Sequence, residues 1–216
     1  MRSTSLSPSP SRGLRSLAAG AAGTALLVAG TALLPSAPTA AAEDAPRAAA
    51  ARATVTFAVE DCEGCELRLH QVTERGDRWV SWSSKAQKVA DGEATFRVPR
   101  ARLQGARLSV SAPWEGHTGY VTMAVFRYGG TAAGDDVSFA EARGARRASG
   151  CWAGPGATSS TTIPLVVRRV QVDGVRGRTT GTIAYTEQTQ DWSLPMERVY
   201  RGVAGAQDIA PCTQGG

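Results

Sequence analysis

Only two histidines, His70 and His117, stand among the 216 residues, so the choice of a general base for neutral pH is narrow. His117 lies in Pro113-Trp114-Glu115-Gly116-His117-Thr118-Gly119, which gathers an aromatic ring, a carboxylate and an imidazole between two apolar runs. Loops held on a rigid scaffold carry binding and catalytic groups more often than the strands they join. Trp114, Glu115 and His117 are therefore a candidate ligand loop. A hydrolase built on His117 would need a Ser or Asp delivered from elsewhere, and no motif points to one. The commoner role of such a stretch is structural, with Trp114 capping the edge of a core. His70 alternates in step with Glu66 and Arg68, which predicts a place on the polar, solvated face of a strand.

The tryptophans offer a second chemistry. Trp79 and Trp82 are three positions apart, so on a regular strand they face opposite sides and one of them is exposed. With Trp192, such a ring could form an aromatic platform for a sugar or a protein partner, although burial is the commoner fate of an indole. Trp152 follows Cys151 and is expected to pack on a disulfide.

A third candidate is electrostatic and comprises Arg168, Arg169, Arg176 and Arg178. If Asp173-Gly174 is a two-residue hairpin turn, Arg169 stands directly opposite Arg178. Like charges in that register are unfavourable. Either the turn has another length, or a carboxylate or bound anion lies between the guanidinium groups.

The chain lacks a G-x-S-x-G elbow, a P-loop, a dinucleotide-binding glycine motif, an H-E-x-x-H helix and an EF-hand loop. The sequence calls for no cofactor and no metal, and it favours a non-enzymatic role over a catalytic one.

The elements that position these residues start with the four cysteines, Cys62, Cys65, Cys151 and Cys212. An even count in an exported chain implies two disulfides with three possible pairings. Val55, Phe57 and Val59 alternate with small or polar residues, as do Leu67 and Leu69, so a strand is expected on each side of Cys62-Glu63-Gly64-Cys65. Gly64 suits a tight reversal. This predicts a hairpin clamped by Cys62 and Cys65, with Cys151 and Cys212 pinning the C-terminal tail. A redox C-x-x-C would need to open a helix, and a zinc site would need a second close pair of ligands. Neither is present.

Arg2, Arg12 and Arg15 precede an uncharged run at 17–34, then Pro35 and Ala40-Ala41-Ala42. That order is an export signal, expected to be cleaved after Ala42. The apolar run is diluted by Ala, Gly and Thr, which argues against a retained anchor and for ordinary secretion. The whole chain carries 24 Lys+Arg against 19 Asp+Glu, a net charge of +5, but three of the Arg fall in the signal. A nearly neutral mature protein has no basic stripe for nucleic acid. Arg outnumbers Lys 22 to 2 and Asn is absent, as in a GC-rich coding sequence, so the arginine excess is largely background and turns must rely on Gly, Asp and Pro.

Further strands are predicted at 79–89, 93–98, 106–112, 120–128, 161–173, 176–187 and 196–200. Ser138 and Glu141 form an S-x-x-E capping box ahead of a short helix at 140–147. Residues 55–59 and 121–125 echo each other, which would fit a duplication or chance among Val-, Thr- and Ala-rich strands. The expectation is a mainly β chain: an antiparallel, disulfide-stabilised β-sandwich, or a barrel-like relative, with one short helix. It comprises a signal peptide at 1–42, an Ala-rich linker at 43–52 and a single domain at 53–216, or two small β subdomains split near 113–119. The expected role is a secreted binding or structural module for a protein or carbohydrate, without stable membrane insertion. Alternatives are a secreted inhibitor, for which the loop at 129–136 is flexible unless braced, and a hydrolase centred on His117.

Overall fold

The computed structural model describes residues 51–213. The expected export signal at 1–42 and most of the linker at 43–52 lie outside the described residues. The chain is mainly β. It begins with β1 (Arg52–Glu60), β2 (Glu66–Arg75), β3 (Arg78–Ser83), β4 (Gln87–Lys88) and β5 (Glu93–Pro99). There follow β6 (Arg107–Ser111), β7 (Val121–Met123), β8 (Arg127–Tyr128) and the one α-helix among the described residues, α1 (Phe139–Gly144). The C-terminal part adds β9 (Arg147–Ser149), β10 (Ser160–Gly174), β11 (Gly177–Thr186), β12 (Glu197–Arg198) and β13 (Gly205–Ala206).

These strands form a four-stranded sheet, β11-β10-β1-β5, a larger sheet, β13-β7-β6-β2-β3 with β4 paired to β2, and a small one, β12-β9-β8. Alternation dictates the packing. Val55, Phe57 and Val59 of β1 and Phe96 of β5 point inward from the first sheet, and Leu67, Leu69, Leu108 and Val110 point inward from the second. All belong to one continuous apolar cluster, so each sheet covers the other's hydrophobic face. Phe57 and Phe96 meet edge to face at 6.0 Å. Burying one such side chain contributes about 1.5–3 kcal/mol. A second cluster lies where Val170, Val172 and Ile183 pack against Tyr128, Ala142 and Val203, so β10 and β11 are covered on both faces.

Several expectations are corrected by the pairing. Strands β1 and β2 are not a hairpin, because β1 pairs with β10 and β5 whereas β2 pairs with β3 and β6. The Cys62–Cys65 disulfide therefore clamps a crossing between two sheets. The Asp91-Gly92 turn carries the chain back at the same corner, with Asp91 and Gly92 at φ 53° and 75°. Gly64 N donates to Val89 O at 3.0 Å and Val59 N to Gly92 O at 2.7 Å, tying the two crossings together.

The sheets are antiparallel except for β1 and β10, which run parallel. Parallel neighbours need a long connection. Here everything from residue 61 to residue 159, including the whole β2-β3-β6 region, serves as that connection.

The run expected at 120–128 breaks into β7 and β8. Ala124 N donates to Leu108 O, Val125 N to Ala184 O and Phe126 N to Ser149 O, so successive residues hydrogen-bond to three different strands. The echo of residues 55–59 thus falls at a junction between sheets, unlike β1 itself. The predicted strand at 79–89 likewise divides into β3 and β4.

The capping box is present: Ser138 Oγ accepts from Glu141 N at 3.3 Å, and Glu141 Oε2 accepts from Ser138 N at 2.8 Å. The helix stops at Gly144 and Arg147 opens β9, so it is shorter than the 140–147 expected. The β10–β11 turn lies two residues beyond Asp173-Gly174, since Gly174 pairs with Gly177 around Val175-Arg176. This places Asp173 opposite Arg178 and Arg169 opposite Thr182, which removes the like-charge conflict. Cys151 and Cys212 form the second disulfide. No helix among the described residues is long and apolar enough to cross a membrane.

Candidate functional site

The register of β2 and β3 determines what the outer face of the larger sheet displays. His70 pairs with Ser83, Val72 with Ser81, and Glu74 with Trp79, so these six residues share one face. Trp79 is 62% exposed. Trp82 falls on the opposite face across from Gln71, packs partly against the core and lies under the Arg102 guanidinium at 5.6 Å. A groove of about 430 Å³ runs beside Trp79 and is lined by His70, Ser81, Ser83, Gln207 and Asp208 together with Val72 and Ile209.

His70 is half-buried there, not the solvated surface residue its alternation suggests. Its Nδ1 lies 2.8 Å from Ser83 Oγ on β3, and its Nε2 lies 2.8 Å from Ser109 Oγ on β6. Ser109 Oγ donates onward to the Arg68 carbonyl at 3.4 Å. With that donor fixed, the assignment that satisfies every group has Nε2–H donating to Ser109 and Nδ1 accepting from Ser83. Burial, reinforced by the nearby Arg68 charge, pulls the imidazole pKa down to about 4. The ring is therefore neutral in ordinary conditions and a weak base. The neighbouring Ser84 N–H is committed to the Leu69 carbonyl at 2.9 Å. The geometry is that of a fixed hydroxyl–imidazole–hydroxyl row beside an exposed indole, with both ring nitrogens taken up within the row.

The loop at 113–119 is held differently from the expectation. Glu115 Oε1 accepts from Thr122 Oγ1 at 2.8 Å, and Oε2 accepts from Ala112 N at 3.3 Å, so the carboxylate is committed within the loop and to β7. Trp114 packs partly against the core with Arg169 5.0 Å above its ring. His117 is exposed, its carbonyl accepts from Val175 N at 3.3 Å, and its side chain makes no hydrogen bond among the described residues. A groove of about 690 Å³ adjoins this loop and shares Gln207 with the groove at Trp79.

The remaining candidates are spread out. Trp192 is bridged to Trp152, and Trp152 stacks on Phe126 with ring centres 6.0 Å apart. Arg168 is paired with Asp61 and, at 3.5 Å, with Glu60. Arg169 covers Trp114, Arg178 faces Asp173, and Arg176 sits in the hairpin turn. Each of the four arginines has its own surroundings. Among the described residues, no cluster of three or more His, Cys, Asp or Glu is placed to hold a metal ion.

Sequence reasoning missed Ser83 and Ser109 as partners of His70. The signal lies in pairing register: Ser83 is 13 positions from His70 and Ser109 is 39. No local period links them. No family model matches the chain, and no curated protein or solved structure is significantly similar to it.

Proposed function

We propose that the protein is an exported, non-enzymatic binding module, built as a β-sandwich with one short helix, that holds a carbohydrate on the outer face of its larger sheet. One observation carries this reading: Trp79 is exposed beside a groove lined by polar side chains, among them Ser81, Ser83 and Asp208, together with the apolar Val72 and Ile209. An indole face stacks on the C–H face of a sugar ring, and fixed polar groups around it bond the hydroxyls. The two disulfides support a place in an oxidising compartment, in keeping with the export signal expected at 1–42.

The test is a glycan array probed with the wild-type protein and with Trp79→Ala. Retention on a sugar that the variant loses supports the reading, and equal retention by both sinks it.

One observation favours a second reading, a secreted inhibitor of another protein. The exposed loop at 129–136 is braced, because Gly134 N donates to Thr189 O at 2.8 Å and Thr189 N to Asp135 O at 2.9 Å. A braced, exposed loop can present a segment without first having to order it. A hydrolase centred on His117 draws no support from the geometry, since that imidazole has no side-chain partner among the described residues.

A further inference from the structure

A groove of about 680 Å³ runs between the C-terminal end of α1 and the turn after β12, and Arg143, Arg146, Arg198 and Arg201 line it. No Asp or Glu does. The ion pairs formed by arginines among the described residues involve Arg107 and Arg168, so none of these four guanidinium groups has a carboxylate oxygen within 4.0 Å. Of the nearby acids, Glu141 is bonded to the Ser138 cap, Asp136 to Gln188 Nε2 at 2.9 Å, and Asp173 to the hydroxyl of Tyr200, which itself lines the groove, at 2.6 Å. Arg143 and Arg201 lie over the rings of Phe139 and Tyr200, which orient the cations without neutralising them.

The two walls are fixed to one another. Val199 N donates to Arg146 O at 3.0 Å, and Arg198 pairs with Arg147 across β12 and β9. Gly202 is seated so tightly on α1 that a Cβ there would collide with the Ala142 carbonyl. Arg201 occupies the first position of the Tyr200–Val203 turn at φ 48°, with Gly202 at φ 80°. Asn, Asp or Gly is usual at that position, and a left-handed φ costs another residue about 1 kcal/mol. An arginine is thus held at a strained position on the lip of a groove already lined by three others.

Helix-end electrostatics does not account for the group. The C-terminus of a helix carries about half a negative charge at most, and a helix of six residues needs no more than one cation. Four arginines lining one concave surface that no carboxylate lines instead make a positive site, and guanidinium groups pair well with oxyanions. The groove's volume of about 680 Å³ leaves room for more than one phosphate-sized group. We propose that this groove binds a ligand bearing two or more phosphate or sulfate groups, independently of the carbohydrate face at Trp79.

The test is isothermal titration of the purified protein with inorganic tripolyphosphate and, separately, with sucrose octasulfate, at low and high ionic strength. Saturable one-to-one binding is expected, at least about tenfold tighter than binding of orthophosphate and weakening with salt. The tighter of the two probes identifies whether the oxyanions are phosphate or sulfate. Arg146→Gln with Arg201→Gln is expected to weaken binding about tenfold or more. Arg75→Gln with Lys88→Gln removes the same charge from β2 and β4 of the larger sheet and is expected to leave affinity within about twofold. Absence of saturable binding to either probe, or equal weakening by both double variants, overturns the proposal. Should the first double variant fail to melt cooperatively, Arg198→Gln alone supplies the same comparison.

Discussion

His70 Nε2 and Ser109 Oγ lie 2.8 Å apart across neighbouring strands, with Ser83 on the other side of the ring, and burial at this position, reinforced by the Arg68 charge, holds the imidazole neutral. The consequence is a pH dependence of stability with a definite sign. The folded-state pKa is near 4 and the unfolded value is 6.5, so the unfolded chain binds the proton first as pH falls. Stability at neutral pH is lost progressively between about pH 6.5 and 4, with no further loss from this group below that window. Denaturant midpoints measured across that window should fall for the wild type. They should fall less steeply for His70→Gln, which does not titrate. Parallel curves for the two proteins would remove His70 as the cause.

Trp79 gives a prediction that separates binding from folding. Because it is 62% exposed on an edge strand, Trp79→Ala should change stability by no more than about 0.5 kcal/mol. Phe57→Ala, in the centre of the apolar cluster, should cost about 3–5 kcal/mol. Urea melts measure both. A large loss of stability in the Trp79 variant would mean that the ring is structural, and the platform reading would fall with it.

Arg107 is 2% exposed and presents two nitrogens to Glu197, at 2.8 and 3.4 Å, while its Nε has no partner in the protein. Glu197 is 43% exposed, so solvent screens the pair and its net stabilising effect is modest. The asymmetric variant is more informative: Glu197→Ala leaves a buried guanidinium without its carboxylate and should cost about 1–3 kcal/mol. Arg107→Met with Glu197→Ala removes the stranded charge and should recover part of that loss. A double variant worse than Glu197→Ala would show that Arg107 is held by something other than this pair.

Much of the fold is visible in the sequence at the level of single strands and little at the level of their pairing. The alternation of Val55, Phe57 and Val59, and of Leu67 and Leu69, identifies β1 and β2, and Ser138 with Glu141 marks the start of α1. What joins β1 to β2 reads locally as a hairpin turn. Only the long-range choice of β10 as the parallel neighbour of β1 turns it into a crossing. The same limit hides the site. Trp79 and Trp82 have opposite exposure because a strand alternates, but His70, Ser83 and Ser109 meet only through the registers of two further strand pairs. The β10–β11 register turns on whether the hairpin closes at Gly174 or two residues earlier, at Val172, and that decides whether Arg178 faces Asp173 or an arginine.

The two disulfides should differ widely in what they contribute, because they close loops of very different length. Cys151 and Cys212 are 61 positions apart, and Cys62 and Cys65 are 3 apart. By loop-closure entropy the long bridge restricts the unfolded chain by roughly 4 kcal/mol and the short one by roughly 1.5 kcal/mol. The native state sharpens the contrast. Thr213, next to Cys212, exchanges backbone hydrogen bonds with Leu194 at 3.1 and 2.8 Å, and Gly105 approaches Cys212 so closely that a Cβ would lie 3.1 Å from its side chain. Without the long bridge, the tail must keep these contacts unaided. At the Cys62–Cys65 corner, Val89 N still donates to Cys65 O and Val59 N to Gly92 O, so the two crossings remain tied by backbone. Paired Cys→Ala variants, compared by denaturant unfolding under non-reducing conditions, should therefore rank Cys151/Cys212 well above Cys62/Cys65 in cost. The reverse order would show that the corner between the sheets, and not the tail, is the element that the fold cannot hold without covalent help.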